Sequence, residues 1–189
     1  MANIVESIQA KLGFPPLQKI DPNIQETKGN VTRKSQAKLA QAAIPAVLAA
    51  LYKFTRTDEG CEAILHPSPD QRWLRTIYEG KESAAVEKVS HYAGISPELT
   101  ESSMDRIANE AINMVNNSAG PHRSCDSIRS FMDLQRHNVL VYLPAAMQMG
   151  DLLDDEALDD RTNKMEGPVS SFMHKIENRL SKGDQSKYP

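Results

Sequence analysis

Carboxylate oxygens are densest in the segment GDLLDDEALDDRTNKMEG, which carries Asp154, Asp155, Glu156, Asp159 and Asp160. Hard oxygen donors of this kind are what Ca²⁺ or Mg²⁺ requires. The spacing is not that of an EF-hand loop: the alternation at the first, third and fifth positions is missing, no glycine holds the sixth, and no glutamate falls at the twelfth. The expected role is therefore a solvated acidic linker that also caps neighbouring helices. Asp154, Asp155, Asp159 and Asp160 are the candidates for metal. With His137 or His174 folded nearby they define an alternative, a metal-assisted or small-molecule-binding enzyme.

Other reactive side chains are scattered. His66, His91, His122, His137 and His174 form no HExxH and no pair four residues apart, so packing or surface exposure is their expected role. Cys61 and Cys125 are far apart without a CxxC pattern, and each is expected to be a buried thiol. There is no P-loop, GxGxxG or GxSxG, so no catalytic residue is assigned and no cofactor is expected.

Nucleic acid is not expected as a partner. Lys+Arg 22 against Asp+Glu 25 gives a formal charge of −3, which draws the chain neither to phosphate backbones nor to anionic membranes. The segment HYAGISPELTESSMDRI has the outline of a helix-turn-helix, but its second helix opens with Glu98, Glu101 and Asp105, and Arg106 is the one base nearby. Arg33, Lys34 and Lys38 in VTRKSQAK lack interleaved aromatics and read as a solvated helix start. Arg72 and Arg75 flank Trp73, the single tryptophan, which is expected to anchor the core.

These side chains must be positioned by helices. The chain of 189 residues is 40% hydrophobic but only 5% aromatic, so Ala, Leu, Ile, Val and eight Met must build the core. The repeat of Ile4, Val5, Ile8 and Leu12 between Asn3 and Gly13 predicts a first helix. VTRKSQAKLAQAAIPAVLAALYKF predicts a second, with Leu39, Ala43, Val47, Leu51 and Phe54 on one face and Pro45 marking a kink or junction. Thr57 or Asp58 caps a short helix carrying Cys61, Ile64 and Leu65, and HPSP ends it.

Pro69 is placed at the first position of the next helix, which turns Trp73, Ile77 and Tyr78 inward. Lys81 to Ala93 follows, then Gly94, then a helix capped by Ser96-Pro97 and running to about Asn117. A long helix is predicted from about Ser124 to Met149, and a last one, from Val169 to Leu180, shows Val169, Phe172, Met173, Ile176 and Leu180 on one stripe. No strand is expected. The prediction is a single all-α domain over 1–180, a bundle of seven or eight helices with 1–118 and 121–180 as an alternative division into halves, and a flexible tail at 181–189.

AAIPAVLAAL and VYLPAAMQMG, with Pro45 and Pro144 in similar settings, suggest a degenerate repeat of a helix-turn-helix unit. IPAVLAAL followed by TDEGCEAIL, and YAGISPELTESSMDRIANEAINMV, resemble the repeated units of the YidB-like bacterial proteins of unknown function. The resemblance covers about a third of the chain. It implies a multihelical cytoplasmic bacterial protein and transfers no catalytic residue. The chain departs from that family in lacking glycine-rich linkers and in its C-terminal third.

MANIVESIQAKLGF has neither the basic nor the apolar region of a signal peptide, and no apolar run approaches the roughly 18 to 20 residues of a membrane span. A cytoplasmic protein is expected. Its role is expected to be noncatalytic, either self-association or docking of a protein partner, through Met104, Met114, Met132, Met147, Met149 and Met173 on amphipathic stripes.

Overall fold

Every residue from Leu39 to Leu51 is buried, including Gln41 and Pro45. A helix covered on all sides lies at the centre of its fold rather than on its surface, and the alanines at 40, 42, 43, 46, 49 and 50 let neighbours approach from each direction. The computed structural model describes residues 3–20, 31–118, 120 and 123–155, with backbone alone at 31–34. The predicted helix over 169–180 lies outside these residues. Those described form eight α-helices and no strand: α1 (Ile4–Leu12), α2 (Val31–Phe54), α3 (Asp58–Leu65), α4 (Trp73–Ile77), α5 (Glu82–Ala93), α6 (Pro97–Ser118), α7 (Cys125–Leu140) and α8 (Met149–Leu153), with a 3-10 turn at Ala145–Met147. The fold is all-α. No helix among them is long and apolar enough to cross a membrane.

The central helix is α2, against which α1, α4, α5, α6, α7 and α8 all pack. The sequence predicted a buried helix with one face, widened by Ile44 and Leu48, as its main contact, and the whole middle of the helix is core. Pro45 does not end α2, which runs through it. Because proline has no N–H, the carbonyl one turn back, on Gln41, receives no helical hydrogen bond from it.

The Gln41 side chain solves a second problem at this depth. Its Oε1 accepts from Gln18 N at 2.8 Å, and its Nε2 donates to Gln18 O at 2.9 Å and to Tyr142 O at 2.7 Å. One buried amide thus fastens the extended segment after α1 and the exit of α7 to the central helix, while Ile20 N donates to Val141 O at 2.9 Å beside it. Replacing Gln41 with leucine leaves three backbone groups unpaired and is expected to cost about 2–3 kcal/mol by urea denaturation.

Local signals set most helix ends. Asn3 Oδ1 accepts from Val5 N, and Gly13 closes α1 at φ 70. Thr57 Oγ1 accepts from Gly60 N to open α3, Gly94 closes α5 at φ 67, and Pro97 begins α6. Ser124 and Ser127 form a reciprocal capping box at the start of α7. Long-range polar ties hold α1: Ile4 N donates to Gln135 Oε1 at 3.1 Å, and Lys11 pairs with the buried Glu110 at 2.7 Å.

Two predicted boundaries are corrected. Pro69 is not the first residue of a helix; α4 begins at Trp73, although Trp73, Ile77 and Tyr78 do turn inward as expected. The long helix ending at Met149 is instead three pieces. The α7 helix ends at Leu140, Pro144 precedes the 3-10 turn in an extended conformation, and α8 begins at Met149 after Gln148 at φ 44. The residue before a proline avoids the α region, which explains a break here. Pro45 and Pro144 therefore occupy different settings, one inside a helix and one between two.

The cysteines are also corrected. Cys61 on α3 and Cys125 at the first turn of α7 are joined in a disulfide, with their Cα atoms 5.5 Å apart across 64 positions of sequence. Cys61 is fully buried, whereas Cys125 is half-buried.

Candidate functional site

The acidic segment begins where α8 ends, and two lysines meet it there. Lys53 near the end of α2 donates to Leu153 O and lies 3.8 Å from Glu79. Lys81 just ahead of α5 donates to Leu152 O at 3.2 Å and pairs with Asp154. Cations at a helix C-terminus satisfy its last carbonyls and complement its dipole. The Lys81 ammonium, through its hydrogen bond and then its charge, holds the Asp154 carboxyl below its usual range. Asp155 N returns to Gly150 O at 2.9 Å.

Asp154 is thus engaged as the end of a structural clasp. No three His, Cys, Asp or Glu side chains among the described residues converge on a point where a metal ion could sit. Glu156, Asp159, Asp160, His122 and His174 lie outside those residues. His66 sits 3.7 Å from Glu62 one turn away on α3, and His91 and His137 are exposed on α5 and α7. The structure does not bring His137 together with Asp154 and Asp155 as a ligand set.

The helix-turn-helix outline is present as α5, the Gly94 turn and α6. Its charge remains wrong for a groove. Glu98 is exposed, and its own backbone N–H and the Ser96 hydroxyl hold its carboxyl below the usual range. Burial, with the neighbouring Glu101 adding, pushes the Asp105 carboxyl up. Trp73 is buried at 7% exposure, and Arg75 beside it reaches Glu82 at 3.8 Å. The side chains of Arg33 and Lys34 are outside the description, and Lys38 is half-buried.

The seam between the end of α2 and α7 was not foreseen. Asp133 accepts from Tyr52 at 3.1 Å and from Arg56 at 2.9 Å. Arg56 and Arg136 lie 5.8 and 5.9 Å from the Tyr52 ring centre, within cation–π range. Arg129 donates to Thr55 O at 3.2 Å and pairs with Asp58 at 2.5 Å, so it ties α7 to the turn after α2 and to α3. The i, i+3 and i, i+4 repeat of Arg129, Asp133 and Arg136 is visible in the sequence, but the face it meets is not.

Most of the described stripe methionines belong to the core. Met104, Met132, Met147 and Met149 are buried and Met114 is half-buried; Met173 lies outside the described residues. Large apolar side chains standing in solvent are instead Leu99 on α6, 64% exposed, and Leu134 on α7, 58% exposed.

Tyr78 carries a polar atom that the fold does not use. Its hydroxyl is buried with no hydrogen-bond partner among the described residues, and burial pushes the phenol far above its ordinary pKa. Tyr78→Phe is expected to keep thermal stability or raise it by about 1 kcal/mol, since the deleted hydroxyl has only its desolvation cost to lose. A loss of stability in a melting curve would mean that the hydroxyl is bonded.

No family model, curated protein or solved structure matches this chain.

Proposed function

We propose that the chain is a noncatalytic helical protein that works by protein–protein contact, and that its first partner is a second copy of itself. The observation that carries this reading is the exposure of Leu99 and Leu134 on separate helices, while Met104, Met132, Met147 and Met149, which first suggested contact, are packed inside. A single exposed leucine is ordinary. Here the surroundings differ in charge. Leu99 lies between Glu98 and Glu101, whereas Leu134 stands beside an Asp133 already paired with Arg56 and is followed on α7 by Arg136 and His137. Each leucine suits the other's surroundings better than its own, which favours a heterologous, head-to-tail contact over a two-fold one.

Sedimentation velocity over rising concentration tests the proposal. The wild type is expected to grow through a series of oligomers, and Leu99→Ser and Leu134→Ser each to remain monomeric. Mixing the two variants is expected to restore a dimer and nothing larger, because each retains one intact patch. A wild type that stays monomeric at every concentration, or variants that sediment like it, would remove self-association.

The metal-assisted enzyme has no observation in its favour among the described residues, since Asp154 is already engaged by Lys81. The cytoplasmic, bacterial setting and the YidB-like kinship of the segments 35–65 and 86–117 enter this proposal from the sequence alone.

A further inference from the structure

We propose that Cys61 and Cys125 form a reversible thiol–disulfide clasp that controls whether α3 stays docked on α7. The proposal takes only its physiological setting from the cytoplasmic reading above, because a disulfide in a reducing compartment is usually transient and redox-sensing. Its chemistry belongs to the purified chain.

The helix α3 has eight residues, fewer than an isolated helix needs to persist in water. Its position therefore depends on its ties. These are the disulfide, the burial of Cys61 and Ile64 against α7 and α6, the close approach of Gly60 to the Phe54 carbonyl, and the Asp58–Arg129 pair, in which Asp58 is 88% exposed. An ion pair so open to water holds little by itself. Beyond α3 the chain runs through an exposed stretch from His66 to Asp70, which leaves the helix free to move without dragging α4.

The two sulfurs are not equivalent. Cys61 is sealed in the core, while Cys125 is half-buried at the amino end of α7, so an incoming dithiol reaches Cys125. Its thiolate attacks Cys125 Sγ, forming a mixed disulfide and expelling the Cys61 sulfur, which takes up a proton. The second thiol of the reductant then attacks the reductant's own bound sulfur. This closes its ring and releases Cys125 as a thiolate. In sum, two electrons and one proton pass from the dithiol to the protein, which then carries a Cys61 thiol and a Cys125 thiolate, and the dithiol's second proton goes to solvent.

The dipole at the amino end of α7 favours that thiolate, although the capping box already occupies Ser127 N. The Glu62 carboxylate on α3, however, has an oxygen 3.9 Å from Cys125 Sγ. Reduction thus removes the covalent tie, and in its thiolate form Cys125 also repels a carboxylate of the helix it had held.

The test uses the full chain, dithiothreitol as reductant and no denaturant. Both thiols are expected to appear, with Cys125 alkylated by iodoacetamide about tenfold faster than Cys61. Hydrogen exchange is expected to rise about tenfold more over residues 58–65 than over α5 and α6, whose protection falls only with the global stability. Oxidised glutathione is expected to restore the original pattern. A disulfide that survives dithiothreitol until urea unfolds the chain overturns the proposal. So does unchanged protection of α3 on reduction, and so does an equal loss in every helix, which would make the bond a plain structural staple.

Discussion

Gly60→Ala is expected to lose about 3 kcal/mol or more of unfolding free energy, through overpacking against rigid backbone. A Cβ at Gly60 would lie 2.0 Å from the Phe54 carbonyl oxygen and 2.9 Å from its carbon, with Thr57 Oγ1 at 2.8 Å. These atoms cannot step aside. Phe54 O also accepts from Thr57 N and from Thr57 Oγ1, so moving it disturbs the whole corner between α2 and α3. Glycine at 60 is what lets the short helix fold back this tightly over the end of α2. Gly94→Ala is the control: its site is open, and only its left-handed φ of 67 opposes a side chain. That substitution is expected to cost about 1–2 kcal/mol. Urea denaturation that finds the two variants equal would mean the close approach at Gly60 does not exist in solution.

The second large effect is expected from removing both sulfurs. In the oxidised protein, the Cys61→Ala, Cys125→Ala double variant is expected to be about 4 kcal/mol less stable, because the bond closes a long loop in the unfolded chain. The two cysteines are 64 positions apart. Alanine is chosen because a serine hydroxyl at the fully buried Cys61 would add a desolvation cost of its own. Intact mass after alkylation without reductant supplies the matching check, and no added mass is expected for the oxidised wild type. A double variant that melts with the reduced wild type places the whole effect in the covalent link. A variant well below it assigns part of the loss to side-chain packing at Cys61.

Much of the architecture was legible because helix ends are written locally. Asn3 and Gly13, Thr57, Gly94 and Ser96-Pro97 each stand where a cap, a left-handed closing residue or a first-turn proline is needed, and the helices begin and end there. Such signals act over one turn of chain, so no knowledge of the partner surface is required. Trp73, Ile77 and Tyr78 were likewise placed inward on their spacing alone. The same short range explains the failure at Pro144. Apolar periodicity from Ser124 to Met149 continues across a break that comes from the proline and from the turn packing onto α5.

By itself, then, the sequence determined that this is an all-α protein, roughly where most helices start and stop, and that no residue pattern specifies a known catalytic motif. Only the tertiary structure decided that six helices pack around α2, that Gln41 is a buried fastener, that Lys53 and Lys81 clasp the end of α8, that Met104, Met132, Met147 and Met149 are core, and that Cys61 meets Cys125. The reason is physical. Caps and periodicity depend on neighbours in the chain, whereas burial on all faces, ion pairs across helices and a bond between distant sulfurs depend on which helices pack together.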